Sequence, residues 1–277
     1  MIFEWSLDPY VLKFQSCTRP TLPWLEETRY TAKLIASRTS KPIWLCLSGG
    51  IDSEVMAEAF LAEKIPFRAF SLSYYGRNDH DIRHAVNWCK AHGVEHEIEA
   101  VNIWHIFDAQ RQLEERYVTS NVFRYVQISL MKKIEARGGY AVIGSGEQLY
   151  KFKDAPYLEF TVGYHVPYEW CQRNGVEHEP YFYFVTPEIT KAWMEIPIVD
   201  FALTHQPQIF ANPNNGNNLK IVVLQGMFPE QPRRAKFNGF EALLEKRRAA
   251  EELLTTAFAG RLDPYHIAVK EFKRQLA

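Results

Sequence analysis

Cysteines are few in this sequence, and none of them lies close to another. The 277 residues contain four cysteines and no C-x-x-C motif. A disulfide framework or a cysteine-ligated metal site needs cysteines in closely spaced sets, so neither is expected. The pattern favours reduced thiols in a cytoplasmic protein. The cysteines are Cys17, Cys46, Cys89 and Cys171.

A charge excess of either sign and a long apolar run are also lacking. Lysine and arginine total 32 against 33 aspartate and glutamate residues, for a formal net charge of −1. This balance gives no electrostatic reason to expect a nucleic-acid partner. No apolar run approaches the roughly 20 residues of a membrane helix, and the first residues lack the regions of a signal peptide. We therefore expect a globular protein that acts on a small-molecule substrate away from membranes.

Short apolar strands alternate with helical patterns in the first half of the chain. Because strands and helices alternate at this spacing, the sequence predicts an α/β fold, a doubly wound parallel sheet with helices on both faces. We expect an N-terminal appendage over 1–40, an α/β core over 41–154, and a substrate-facing, helical or irregular region over 155–277 packed on that core. The predicted strands are Ile43–Leu47, Phe67–Ser73, Val94–Val101 and Tyr140–Ile143.

The pattern loosens in the last part of the chain. Residues 155–185 are rich in aromatic side chains and predict either a lid over the substrate or an irregular packing layer. His178 and Glu179 within that segment look like loop. Asn212–Asn218 reads NPNNGNN, which is typical of a turn or flexible loop. Phe240–Phe258 has the apolar spacing of an amphipathic helix.

Two glycine-rich turns follow predicted strands. Ser48-Gly49-Gly50-Ile51-Asp52-Ser53 comes after the first strand, and Gly144-Ser145-Gly146-Glu147 comes after the last. In parallel sheets, ligands bind beyond the carboxyl ends of the strands, where both turns should lie. The sequence therefore places a candidate binding site at this edge.

The first turn has the composition of a phosphate cradle. Glycines let the backbone approach a phosphate closely, and the helix N-terminus adds a positive dipole end. The hydroxyls of Ser48 and Ser53 add donors. Asp52 would repel phosphate unless a divalent cation such as Mg²⁺ lay between them. The structural alternative is a capped helix after a glycine turn.

The SGGIDS stretch resembles the PP-loop motif SGGxDS of the ATP pyrophosphatase superfamily. The resemblance covers about residues 41–150, and 219–240 more weakly. It implies the adenine nucleotide alpha hydrolase-like fold of the HUP type, with ATP and Mg²⁺ as cofactors. Members cleave ATP between the α and β phosphates, attach AMP to a substrate oxygen, and let a nitrogen or sulfur nucleophile displace it. No G-K-[ST] is present, so the turn is not a Walker A loop.

One further stretch resembles the synthetase domain of asparagine synthetase and β-lactam synthetase. It is the strand that ends in Ser145-Gly146-Glu147. The resemblance implies that Ser145 and Gly146 lie near the adenosine and that Glu147 lies near the reacting carbonyl, as a proton acceptor or cation ligand. The family continues with a second magnesium carboxylate, where this chain has Gln148-Leu149-Tyr150-Lys151 instead. Asp154 is the candidate substitute.

A second stretch resembles the "K…LP…R-x-K…G" segment of the same group. The resemblance implies that Lys220 contacts ATP and that Lys236, with Arg234 beside it, stabilises charge on the pyrophosphate. The alternative for Arg234 and Lys236 is a solvated basic turn without a catalytic role. Arg124 could reach a phosphate, although a helix-surface position is favoured. The resemblance also implies that adenine is recognised by main-chain groups after the first and second strands, which here are those of Cys46, Leu47, Ser71 and Leu72. Core packing explains the apolar side chains at these positions equally well.

These features favour an ATP-dependent, asparagine synthetase-like enzyme that forms a C–N bond and releases AMP and pyrophosphate. Residue 2 is Ile2 rather than cysteine and no upstream glutaminase domain is expected, so ammonia would come from solution or a partner, or the substrate would carry the amine. One alternative is sulfur transfer to tRNA or a metabolite, for which Cys171 is the plausible carrier. The other is a non-catalytic module that binds ATP or AMP.

Overall fold

The computed structural model describes residues 3–7, 10–102, 105, 122–146, 150–160, 163–211, 213–228 and 265–277. The N-terminal elements are β1 (Phe3–Leu7), β2 (Tyr10–Phe14) and α1 (Trp24–Arg38). The central elements are β3 (Ile43–Cys46), α2 (Ile51–Ala62), β4 (Arg68–Ser73), α3 (Asp79–His92), β5 (His96–Ala100), α4 (Val122–Glu135) and β6 (Tyr140–Ile143). The later elements are β7 (Tyr150–Phe152), β8 (Pro156–Phe160), α5 (Val166–Asn174), α6 (Pro187–Met194), α7 (Pro197–His205), α8 (Pro213–Met227), β9 (Tyr265–Ala268) and α9 (Val269–Leu276).

The central sheet is parallel and has the strand order β5-β4-β3-β6 in the described part of the chain. Alternate residues of β3 face opposite sides. Ile43 and Leu45 pack in a core with α1, α2 and α3, whereas Trp44 and Cys46 pack in a core with α4. Helices thus cover both faces, which confirms the predicted α/β class.

The register of β3 brings the two glycine-rich turns together. Cys46, the last residue of β3, is paired with Ile143, the last residue of β6. The turns that follow these neighbouring strands therefore leave the sheet at the same edge. The fold thus creates the candidate site where the sequence places it.

The described residues of the N-terminal segment contribute side chains to two cores. Trp24, Ala32 and Ile35 of α1 belong to the core on one face of the central sheet. The β1–β2 hairpin contributes Phe3 and Phe14 to a second core, which also contains residues of α9 and of an antiparallel sheet of order β7-β8-β9. The C-terminal residues close this second core.

The aromatic segment 155–185 is a packing layer and contains regular elements, β8 and α5. Phe160, Tyr181 and Phe184 are fully buried in the second core, and Phe182 in the first. Their burial explains the density of aromatic side chains. Tyr183 is the member of this group that also lines a cleft, as described below.

The prediction that His178 and Glu179 lie in a loop was wrong in part. Glu179 pairs with Val142 in an isolated parallel bridge, and its N–H donates to the carbonyl of Ala141 over 2.8 Å. The N–H of Ala141 donates to Nδ1 of His178 over 3.1 Å. The backbone of Glu179 therefore pairs with the outer side of β6, and the side chains of His178 and Glu179 are buried there.

The loop prediction for Asn212–Asn218 was also wrong, because α8 begins at Pro213. Proline fits the first turn of a helix, where its missing N–H has no intrahelical role. The predicted helix Phe240–Phe258 lies outside the described residues. No helix in the described ranges is long and apolar enough to cross a membrane.

Candidate functional site

The turn between β3 and α2 is held in shape by its own two serines. The N–H of Ser48 donates to Oγ of Ser53 over 3.3 Å, and the N–H of Gly50 donates to Oγ of Ser48 over 3.2 Å. The hydroxyl of Ser53 donates in turn to the carbonyl of Gly50 over 2.8 Å. The hydroxyls predicted to bind a ligand therefore also brace the loop.

Gly49 is required by the packing of α3 as well as by the turn. Its φ is +83°, and a Cβ there would lie 1.9 Å from the carbonyl oxygen of Asp81. The first i→i−4 hydrogen bond of α2 is donated by Glu54 to Gly50 over 3.3 Å. The backbone amides of the first turn of a helix point toward its N-terminus, which is the place where helices bind anions.

The second turn packs directly on the first turn of α2. A Cβ on Gly144 would lie 2.8 Å from Cα of Ser53. The carbonyl of Ser145 accepts from the N–H of Tyr183 over 3.1 Å, and Gly146 lines the cleft beside Asp52. Ser145 and Gly146 therefore lie just beyond the carboxyl end of β6, whereas Glu147 lies outside the described residues.

An ion pair joins the first turn to α8. Nζ of Lys220 lies 2.8 Å from Oδ2 of Asp52, and the two side chains are 13% and 23% exposed. Partial burial makes such a pair stronger than one on an open surface, because less water screens the charges. The hydroxyl of Tyr183 also donates to the main-chain carbonyl of Asp52 over 2.7 Å. Two distant segments therefore hold this aspartate.

Asp52 and Lys220 both line a cleft that is partly open to solvent. The cleft is lined by this ion pair together with aromatic side chains, which include Trp24, Tyr183 and Trp193. The rings of Trp24 and Tyr183 are stacked, with centroids 6.1 Å apart. No periodic signal in the sequence joins these aromatics, which come from three separate segments. A mainly apolar and aromatic lining with a few polar groups is typical of a small-molecule site.

The site can accommodate a divalent cation in chemical terms. Asp52 is a carboxylate already placed against a cationic group, and Mg²⁺ is often held by one or two carboxylates together with substrate phosphates. Asp154 lies in the exposed turn between β7 and β8 and is not among the described residues that line the cleft. Arg234 and Lys236 lie outside the described residues.

The residues predicted to contact adenine lie at the carboxyl ends of β3 and β4. The N–H of Leu47 donates to the carbonyl of Phe70 over 2.9 Å, and the carbonyl of Leu47 accepts from the hydroxyl of Ser71. Cys46 and Leu72 have buried side chains in the core under α4. Their contact with adenine stays a prediction.

The surface position favoured for Arg124 was wrong. The side chain is buried, with 4% of its surface exposed, and its guanidinium lies 4.1 Å from the ring centroid of Tyr164. Its Nη1 donates to Oε1 of Gln127 over 3.1 Å. Arg124, in the first turn of α4, therefore packs against buried aromatic rings.

The four cysteines are all described and none forms a disulfide. Cys171 is 6% exposed and packs against Met131 on the α4 side of the sheet. Burial raises the pKa of its thiol to about 12. A thiolate, the form needed for sulfur transfer, is therefore disfavoured at this position.

Residues 32–146 match the asparagine synthase family model. The matched range extends from within α1 to the second glycine-rich turn, and it contains Asp52. No curated protein sequence matches the chain.

Solved structures with a similar fold include three proteins of low sequence identity. An NH3-dependent NAD synthetase from Campylobacter jejuni has a TM-score of 0.37 and 15% identity, over 84% of this chain and 96% of that one. The U34-tRNA thiolase NcsA from Methanococcus maripaludis has a TM-score of 0.38 and 14% identity, over 94% and 86%. An NMN synthetase from Francisella tularensis has a TM-score of 0.37 and 13% identity, over 86% and 94%. Identities and TM-scores this low carry no information about the reaction of this chain.

Proposed function

We propose that the chain is an ATP-dependent enzyme that adenylates a substrate carboxylate, releases pyrophosphate, and passes the acyl group to a nitrogen nucleophile. The observation that carries the proposal is the SGGIDS turn, whose Asp52 is paired with Lys220 in the lining of a cleft. The match of residues 32–146 to asparagine synthase supports the same reaction class.

Each part of the turn has a role in this reaction. The amides of the turn bind phosphate oxygens, since a helix N-terminus favours negative charge. Asp52 would hold Mg²⁺, which when bound neutralises charge on the phosphates. Lys220 provides a fixed cation beside the reacting groups, where preorganised charge lowers the barrier.

The burial of the cysteines favours nitrogen over sulfur as the nucleophile. Burial raises the pKa of the Cys89 and Cys171 thiols to about 12 and that of Cys17 to about 11. Cys46 is also buried. The nitrogen would come from ammonia in solution, from a partner that supplies it, or from an amine on the substrate.

Product identification tests the proposal. The protein is incubated with ATP, Mg²⁺, ammonium and a metabolite extract, and the phosphorus-containing products are followed by ³¹P NMR. We expect AMP and pyrophosphate in equal amounts, lost in Asp52→Asn and kept in the control Glu26→Gln, an exposed carboxylate on α1. ADP and phosphate as products would contradict the proposal. Nucleotide binding without any cleavage would favour the non-catalytic module instead.

A further inference from the structure

We infer that the cleft binds an acceptor with a flat, apolar body and a single carboxylate, as in an aromatic carboxylic acid. The inference rests on the proposed function, because it takes this carboxylate to be the group that is adenylated. It departs from the small, dipolar amino acid that the asparagine synthase match would suggest.

The lining of the cleft combines aromatic and aliphatic side chains. Trp24 meets Trp193 in an edge-to-face contact with ring centroids 5.0 Å apart. Leu219 and Leu224 of α8 line the cleft with them. Aromatic walls of this kind favour planar ligands, which gain area burial together with offset-stacked or edge-to-face contacts.

The polar groups along the walls already bond to the protein. The hydroxyl of Tyr183 donates to the carbonyl of Asp52, and the hydroxyl of Thr190 donates to the carbonyl of Tyr183 over 3.1 Å. The phenol of Tyr150 is buried and hydrogen-bonds to the side chain of Trp193. A ligand with a charged group in the middle of its body would lose hydration there with little in return.

Among the described residues that line the cleft, the charged side chains are Asp52 and Lys220, which are paired with each other. Gly146 of the second turn also lines the cleft. A carboxylate head can use the ammonium of Lys220, while an apolar body extends along the aromatic walls. The head then lies next to the turns proposed to bind ATP, as adenylation requires.

Ligand binding in the absence of ATP tests the inference on the full chain. Saturation-transfer NMR and calorimetry compare benzoate, phenylacetate and indole-3-acetate with aspartate and glutamate. We expect at least one aromatic acid to bind at least tenfold more tightly than either amino acid. If aspartate or glutamate binds as tightly as the best aromatic acid, the inference is overturned. This comparison needs no variant and does not depend on turnover.

A matched pair of variants locates the site. Leu219→Trp fills the cleft from α8, whereas Val222→Trp adds the same ring at a 44% exposed position on the same helix. We expect Leu219→Trp to weaken aromatic acid binding at least tenfold and Val222→Trp to leave it unchanged, with melting temperatures measured for both. Equal binding by the two folded variants would place the ligand elsewhere and overturn the inference.

Nucleotide products separate the two proposals. Aromatic acid binding blocked by Leu219→Trp, without AMP and pyrophosphate from ATP, would reject the proposed function and leave the ligand class of the cleft standing. AMP and pyrophosphate formed with aspartate, and with none of the aromatic acids, would reject the ligand class and leave the proposed function standing.

Discussion

The ammonium of Lys220 lies 2.8 Å from the carboxylate of Asp52, although 168 residues separate them in the chain. This contact holds α8 against the first turn of α2. It also gives Asp52 a cationic partner at the place where a divalent cation would bind. The ammonium and the metal ion should therefore compete for one carboxylate.

This competition predicts the behaviour of Lys220→Ala. Without Mg²⁺ the variant should lose about 1–3 kcal/mol of stability, since a partly buried carboxylate loses its partner. Added Mg²⁺ should then raise the melting temperature more in the variant than in the parent protein, because no ammonium has to be displaced. Lys33→Ala, whose side chain is 59% exposed, is the control. An equal or smaller Mg²⁺ effect in Lys220→Ala would show that the two cations do not share Asp52.

Two glycines with positive φ should differ in their tolerance of a side chain. Gly49→Ala places a Cβ 1.9 Å from the carbonyl oxygen of Asp81, whereas nothing lies within 4 Å of a Cβ on Gly93, at the end of α3. We expect Gly93→Ala to cost about 1 kcal/mol from backbone strain, and Gly49→Ala about 2–4 kcal/mol. Urea unfolding measures both. Equal losses would mean that α3 can move away from the turn.

The buried imidazole of His178 should make the protein sensitive to acid. Burial lowers the pKa of His178 to about 4, and its Nδ1 can accept from Ala141 only when that nitrogen is unprotonated. Above pH 6.5 the imidazole is neutral in both the folded and unfolded states, so it does not change the free energy of unfolding with pH. As the pH falls from 6.5 to 4, the unfolded state takes up the proton first, so the free energy of unfolding falls by at most about 3 kcal/mol.

The variant His178→Asn isolates this contribution, because its amide oxygen can accept the same hydrogen bond without titrating. The difference in unfolding free energy between parent and variant should change between pH 6.5 and 4 and stay constant above that range. His205→Asn, at an exposed position, is the control. A constant difference across the whole range would remove His178 as the cause.

Cys171 should have no part in turnover. Cys171→Ala removes a buried thiol on the α4 side of the sheet, so we expect about 1 kcal/mol of lost stability and unchanged rates of AMP and pyrophosphate formation. Steady-state kinetics and urea unfolding check the two parts. A large loss of turnover in a folded variant would return sulfur transfer to consideration.

Local signals explain why the first glycine turn could be predicted from the sequence. A buried strand, a serine-rich glycine turn and a helix follow one another without interruption from Ile43 to Ala62. Gly93 is a second local signal, because glycine readily adopts the left-handed conformation that it has at the end of α3 and that ends many helices. Both features depend on residues that are neighbours in the chain.

The cleft could not be predicted in the same way, because its walls come from distant segments without a common period. Trp24 was assigned to an appendage, and Tyr183 lies among aromatics that mostly fill the core. The start of α8 was predicted as a loop, since asparagine and glycine have low helix propensity. Packing of Leu224 and its neighbours on α8 against the two cores outweighs that propensity.

A crystal structure with α,β-methylene-ATP and Mg²⁺ would show directly whether the first glycine-rich turn binds the nucleotide. We expect phosphate oxygens within hydrogen-bonding distance of the amides between Gly49 and Ser53, and Asp52 bound to the metal ion in place of Lys220. The contradicting result is a nucleotide bound elsewhere on the protein, with the turn empty and the ion pair between Asp52 and Lys220 intact.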